Sequence, residues 1–192
     1  VFSKATYLDD LEGNGIEITL ETPWRVKEVR NGPGGIELID QEGVARPGVG
    51  HLDIQETMSH LVEKEVRPLK PGNWIGHVHV HVNDIEAARV FYSDLLGYPV
   101  GTDWSFMGML DVHFEGEFEH RIAFNGWQGT GATQRPEGTV GLRHFTLVLP
   151  GQAELDAALE RLASAGVHAT PQDGGLMVSD PSGNRVLLVA KR

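Results

Sequence analysis

Nine histidines in a 192-residue chain that has no cysteine are the side chains with the most chemistry to offer. Neutral imidazole ligates divalent metals, and its ordinary pKa lets it move protons near neutral pH. The absence of thiols removes disulfide frames, zinc ribbons, iron–sulfur clusters and cysteine nucleophiles from consideration. His77, His79 and His81 alternate with Val78, Val80 and Val82, which places the three imidazoles on one face of a strand. Same-face neighbours step about 7 Å along a strand, so one or two of the three at most can reach a single ion. His144 opens a second alternating stretch, 67 residues after His77. His120 heads a further apolar stretch, with Asp111, Glu115 and Glu119 nearby in sequence, while His51, His60, His113 and His168 read as surface residues.

The elements that would carry these residues follow from periodicity and punctuation. Residues 4–20 read as strand, tight turn, strand, with Gly13-Asn14-Gly15 at the turn and Ile16, Ile18 and Leu20 alternating with Glu17 and Thr19. A two-stranded hairpin is marginal alone and needs further pairing. Residues 24–74 lack strong periodicity and are dotted with Gly and Pro. They read as a connector with one short helix over Asp53–Glu65, capped by Asp53. From Trp74 the pattern sharpens: a strand over Ile75–Val82, then a helix capped by Asp84 and ended by Gly97. Strands are expected at Tyr98–Thr102, Met107–Phe114 and His120–Trp127. The same order then repeats: strand Leu142–Leu149, helix Ala153–Ala165, and strands near Val167–Thr170, Leu176–Ser179 and Arg185–Val189. This is an internal β-α-β-β-β repeat. In addition, Asp10-Leu-Glu-Gly-Asn-Gly-Ile-Glu-Ile18 aligns with Asp180-Pro-Ser-Gly-Asn-Arg-Val-Leu-Leu188 at a fixed offset of 170. The opening hairpin therefore reads as the end of a third unit, and a start at Val1 rather than Met reads as N-terminal trimming. The expected organisation is a terminal hairpin of a truncated unit (1–23), a connector (24–74) and a complete two-unit barrel (75–192, divided into 75–140 and 141–192).

At this point the sequence resembles the vicinal oxygen chelate superfamily, which includes glyoxalase I, bleomycin-resistance proteins and extradiol dioxygenases. The matching stretch is Ile75-Gly-His-Val-His-Val-His-Val-Asn-Asp-Ile-Glu-Ala-Ala-Arg-Val-Phe-Tyr-Ser-Asp-Leu-Leu-Gly97, together with the Asp-x-x-Gly-Asn turns at Asp10 and Asp180. His120-Arg-Ile-Ala-Phe-Asn-Gly-Trp127, Gly141–Pro150 and Gly13-Asn-Gly-Ile-Glu-Ile18 look most like two-barrel, catechol 2,3-dioxygenase-like bacterial proteins. The resemblance implies an α+β fold of paired βαβββ units forming a cupped mixed-sheet barrel. It also implies a divalent metal, Fe(II) first, with Mn(II) or Zn(II)/Ni(II) as alternatives, held in dioxygenase members by two His and one carboxylate. Such a triad leaves adjacent positions open for substrate and O₂.

By the family pattern, His77 and His144 match first-strand His ligands and Glu17 matches the last-strand carboxylate ligand. His79 and His120 are additional candidates. The equivalent of Glu17 in the last unit is Leu187, a departure that leaves the barrel of 75–192 without its expected carboxylate. Neither triad of the family pattern is therefore complete in this chain. Either the barrel of 75–192 recruits His120, Asp111, Glu115 or Glu119, or catalysis belongs to a mostly absent N-terminal barrel with Glu17 as its surviving ligand and 75–192 as a companion domain. A chain that itself holds no metal is the further alternative. The implied activity is extradiol ring cleavage of a catechol-type substrate. A glyoxalase-type lyase or isomerase, and a metal-free ligand-binding barrel, are the alternatives.

Composition bounds the remaining classes. A formal net charge of −11 argues against nucleic acid as a partner. No apolar run approaches the roughly 18 residues of a membrane helix, so no membrane partner and a cytoplasmic location are expected. The expected partner is a small aromatic or vicinal-oxygen compound. Units this similar can pair between chains, so a homo-oligomer is expected as well.

Overall fold

The computed structural model describes residues 3–32, 35–47, 50–61, 68, 71–114, 120–132, 136, 138–172 and 174–191. The chain forms two compact units, Val1–Lys70 and Pro71–Arg192.

In the first unit, β1 (Ser3–Asp9) pairs antiparallel with β2 (Gly15–Glu21), in register from Ser3↔Glu21 to Asp9↔Gly15. The connecting turn is built by Asp10. One of its carboxylate oxygens accepts the backbone N–H groups of Glu12 and Asn14, at 2.8 Å each, and Gly13 takes φ +77°. The stretch read as a connector contains a second antiparallel sheet, of β3 (Val26–Gly32), β4 (Gly35–Asp40) and β5 (Ala45–Pro47). Its β4–β5 turn repeats the device of the first hairpin. Asp40 accepts from Glu42 and Val44 at 3.0 and 2.8 Å, and Gly43 sits at φ +84°. The Asp40-x-x-Gly43 pattern was thus the turn signal in a stretch whose hydrophobic period is short and irregular. A helix, α1 (Ile54–Ser59), follows with Asp53 accepting from the Glu56 N–H at 2.8 Å, the cap expected for it. The expected continuation of α1 over 62–65 lies outside the described residues.

The second unit carries the repeat. Its first half is β6 (Val78–His81), α2 (Ile85–Arg89, continued by a π-helical turn over Val90–Leu95), β7 (Val100–Trp104), β8 (Met109–His113) and β9 (His120–Asn125). The second half is β10 (Phe145–Leu149), α3 (Gln152–Ser164), β11 (Thr170–Gln172), β12 (Gly175–Ser179) and β13 (Arg185–Ala190). Each half forms a four-stranded mixed sheet in which the first strand lies parallel to the last, in the orders β6-β9-β8-β7 and β10-β13-β12-β11. This is the α+β arrangement of paired βαβββ units that the sequence pattern implied. Asp84 caps α2 by accepting from Ala87 at 3.0 Å, and Gly97 ends the helical segment at φ +90°.

Alternation decides which face of each sheet is covered. Val80, Leu110, Val112, Ile122 and Phe124 from one sheet share a single core with Leu147, Val178, Val186 and Leu188 from the other. Helical residues Ala88, Phe91, Tyr92, Leu155, Ala158 and Leu162 fill that core. Tyr92 stacks on Phe124 with ring centroids 5.2 Å apart. Full burial of side chains of this size contributes about 1.5–3 kcal/mol each, enough to fix the register. A slip of one residue would drive His79 and His81 into the core in place of Val80 and Val82.

Candidate functional site

The opposite face of the β6-β9-β8-β7 sheet gathers the polar residues of the second unit. His77 stands one residue before β6 and is half-buried, with its ring 4.4 Å from that of His120, at 56°. His144 stands at the matching place, one residue before β10. Both are therefore strand-entry residues, because regular pairing with the last strand begins only at Val78↔Ile122 and Phe145↔Val186. His120 reaches the same side as Asp111 through a bulge that sets His113 opposite His120 directly after Val112↔Ile122. Its Nδ1 lies 3.8 Å from an Asp111 carboxylate oxygen. The other oxygen of Asp111, a residue only 3% exposed, accepts the Thr102 N–H at 2.9 Å.

Asn125, also 3% exposed, organises the middle of this face. Its Oδ1 accepts the Trp127 N–H at 3.2 Å, and since a backbone amide can only donate, the orientation of the side-chain amide follows. His81 Nδ1, 2.8 Å from Oδ1, must then donate, and His79 Nε2, 2.7 Å from Nδ2, must accept. His79 is accordingly in its Nδ1–H form, and the Nε2 lone pair that would bind a metal is engaged by Asn125. The three same-face histidines of the sequence pattern thus divide between two partners: His77 meets His120, while His79 and His81 share Asn125. The sequence reading did not single out Asn125. Its signal was a lone amide at the end of an apolar strand, on the same alternation as Arg121 and Ala123.

The corresponding face of the second sheet is apolar where a carboxylate was at issue. Leu187 is 8% exposed and lies in register between Thr146 of β10 and Met177 of β12. Glu17 belongs to the first unit, on β2, where it accepts the Tyr7 hydroxyl at 2.9 Å. Burial and the neighbouring carboxylate push the Tyr7 hydroxyl up to about 12. Among the described residues no three His, Asp or Glu side chains come together as a metal-binding group. The ligand set of the family pattern does not fit the described residues of the second unit. Glu115 and Glu119 lie outside them. Trp127, whose place beside a Gly-rich loop reads from sequence as core or as a pocket rim, is 62% exposed, with its indole N–H donating to the Met107 carbonyl at 2.9 Å.

A cavity of about 250 Å³ opens beside this face, where the end of β6 meets the Asp180–Asn184 turn, and His79, His81 and His144 line it. The turn is locked to β6. Ser182 Oγ accepts the Asn83 N–H at 2.9 Å and donates to Asn83 Oδ1 at 2.8 Å, and Asn184 Nδ2 donates to the His81 carbonyl at 2.9 Å. Behind it the Tyr92 hydroxyl donates to Asp180 at 3.0 Å. Burial raises the pKa of Asp180 above the ordinary carboxylate value despite these donors, and burial with the nearby carboxylate raises that of Tyr92.

Comparison with known proteins adds ancestry to this geometry. Residues 74–188 match the model of the Glyoxalase/Bleomycin resistance protein/Dioxygenase superfamily. The chain is 32% identical over 179 residues to a catechol-2,3-dioxygenase of Bacillus subtilis (strain 168), covering 93% of this chain and 59% of the relative. It is 30% identical over 119 residues to biphenyl-2,3-diol 1,2-dioxygenase 3 of Rhodococcus globerulus, covering 59% of this chain and 61% of that protein. The chain thus spans about three fifths of the length of these curated relatives. Among solved structures, a glyoxalase/dioxygenase from Nostoc punctiforme superposes with a TM-score of 0.51 at 15% identity, covering 67% of this chain and 99% of that one. A glyoxylase/bleomycin resistance protein/dioxygenase domain from Frankia sp. EAN1pec does so with a TM-score of 0.50 at 22% identity, covering 62% and 93%. These structural likenesses bear on the fold, which they share with the repeat seen here. With its family match, its paired βαβββ units and its sequence relatives in agreement, the chain belongs to the glyoxalase/bleomycin resistance/dioxygenase superfamily.

Proposed function

We propose that the protein is an extradiol-type dioxygenase that cleaves the ring of a small catechol-type substrate, with Glu17 as the carboxylate ligand of a divalent metal and residues 71–192 as a companion barrel. The observation that carries the reading is the 32% identity to a catechol-2,3-dioxygenase over 179 residues, 93% of the chain. The placement of Leu187 supports the division of labour, since an 8%-exposed leucine between Thr146 and Met177 occupies the strand position that corresponds to Glu17. When bound, Fe(II), or Mn(II) in its place, would supply a Lewis-acidic centre that holds vicinal oxygens and O₂ together. In the companion barrel, His77, His79, His81 and His120 are held by one another, by Asn125 and by Asp111, and His79 and His81 join His144 in lining a ligand-sized cavity.

The test is anaerobic reconstitution of the full chain with Fe(II), followed by a panel of catechols and air. Ring opening produces a yellow product whose visible absorbance is followed. Absorbance growth with at least one catechol is the expected result. Silence with all of them, together with turnover of a glutathione hemithioacetal, would replace the dioxygenase reading with a glyoxalase-type one.

A further inference from the structure

The cavity beside β6 has a charge character opposite to that of the chain. The protein carries a formal net charge of −11, yet among the described residues no Asp or Glu lines this space, while Arg143, Arg185 and three histidines do. Among the described residues neither guanidinium takes part in an ion pair, whereas those of Arg30, Arg46 and Arg89 do. Asp180, two residues before Ser182 of the lining, is turned away from it. Its carboxylate accepts Ser182 N–H, Asn184 N–H, Asn184 Nδ2 and the Tyr92 hydroxyl at 2.8–3.0 Å, and the residue is 4% exposed. The acid is thus spent on building the turn, and the turn contributes Arg185 to the cavity lining, the Asn184 side-chain amide being engaged by Asp180 and the His81 carbonyl.

The walls are fixed in advance. Hydrogen bonds from Ser182 to Asn83 and from Asn184 to the His81 carbonyl tie the two sides together, so a ligand would not have to order them. Leu142 and Phe145 add apolar surface to the same lining. About 250 Å³ is smaller than a drug-sized pocket and matches a single-ring compound. Two guanidiniums without an ion-pair partner among the described residues, which suit planar bidentate contact with a carboxylate, beside apolar walls select a flat ring bearing one negative group.

We propose that this cavity is an anion-binding site of the 71–192 unit that takes a small ring-bearing carboxylate, separate from the metal centre assigned to Glu17. The site needs neither metal nor turnover, so its test stands apart from that of the dioxygenase reading. The full chain, stripped of metal by chelation, is titrated calorimetrically with benzoate, with the isosteric but neutral benzamide, and with inorganic phosphate, each at low and high salt. Saturable benzoate binding that weakens with salt, and little or no benzamide binding, is expected. The exposed substitutions Arg143→Gln and Arg185→Gln together weaken benzoate about tenfold or more, which corresponds to ~1.4 kcal/mol, and Arg143→Lys restores part of the loss. Equal affinity for benzamide and benzoate, unchanged affinity in the folded double variant, or tighter binding of phosphate than of benzoate would overturn the proposal.

Discussion

Asp10 and Asp180 occupy the same position of the same turn, 170 residues apart, and their surroundings move the two carboxyl pKa values in opposite directions. In each turn one carboxylate oxygen accepts the Asn14 or Asn184 backbone N–H at 2.8 Å and the other accepts the amide side chain at 2.8 Å. The hydrogen bonds from Asn14 hold Asp10 below its ordinary value of 3.8, whereas burial is the largest influence on Asp180 and lifts it above that value. The consequences for stability differ in sign. A lowered folded-state pKa makes the Asp10 contribution present above about pH 3.8 and lost as pH falls through the folded value. A raised one makes the Asp180 contribution present below that pH and lost as pH rises through its folded value. Urea midpoints measured from roughly pH 2.5 to 6.5 therefore respond differently to the two substitutions. Asp10→Asn should reduce the fall on the acid side, and Asp180→Asn should reduce the fall toward neutrality. The same pH slope for both variants would show that burial does not separate the two turns.

Strand pairing in the second unit depends on close approach at one glycine. A Cβ on Gly175 would lie 2.3 Å from the Leu188 carbonyl oxygen and 2.8 Å from Val189 Cγ2, so β12 and β13 could not keep their register. Gly175→Ala is expected to lower unfolding free energy by roughly 1–3 kcal/mol. Gly15→Ala, at a β-strand position with open space around it, should stay within about 0.5 kcal/mol in denaturant titration. Similar losses for both would contradict the close contact.

Elements of this kind were legible in the sequence to different degrees. The strands and helices of 75–192 were readable because each buries one face, so period and position coincide, as at Val80 and Val82 against His79 and His81. The three-stranded sheet of 26–47 was not. Its strands are short, and Leu38 and Ile39 are both buried although adjacent, which hides the alternation. In the site, the shared face of His77, His79 and His81 could be read from spacing alone. Their division between His120 and Asn125 could not, because it depends on a bulge in β8–β9 and on an amide contributed 44 residues away from His81.

At the scale of the whole molecule, two compact units carry different parts of the functional account. Val1–Lys70 contains the hairpin with Glu17, and Pro71–Arg192 contains two complete βαβββ units around one core. Superfamily membership rests on the match over 74–188, while the likeness to a catechol-2,3-dioxygenase extends along 93% of the chain. The proposal that joins these observations is that the metal's carboxylate is Glu17 and that the barrel with Leu187 is its companion. Metal content decides this most directly. The full chain and its Glu17→Gln, His77→Ala and His144→Ala variants are purified without chelators, reconstituted with Fe(II) under anaerobic conditions, and analysed for bound metal by mass spectrometry. If Glu17 is the metal's carboxylate, both histidine variants keep whatever metal the parent binds, and Glu17→Gln loses at least about half of it, because the carboxylate is one of the several ligands the centre needs. Metal retained in Glu17→Gln but lost in His77→Ala and His144→Ala would contradict it and place the centre in the 71–192 barrel.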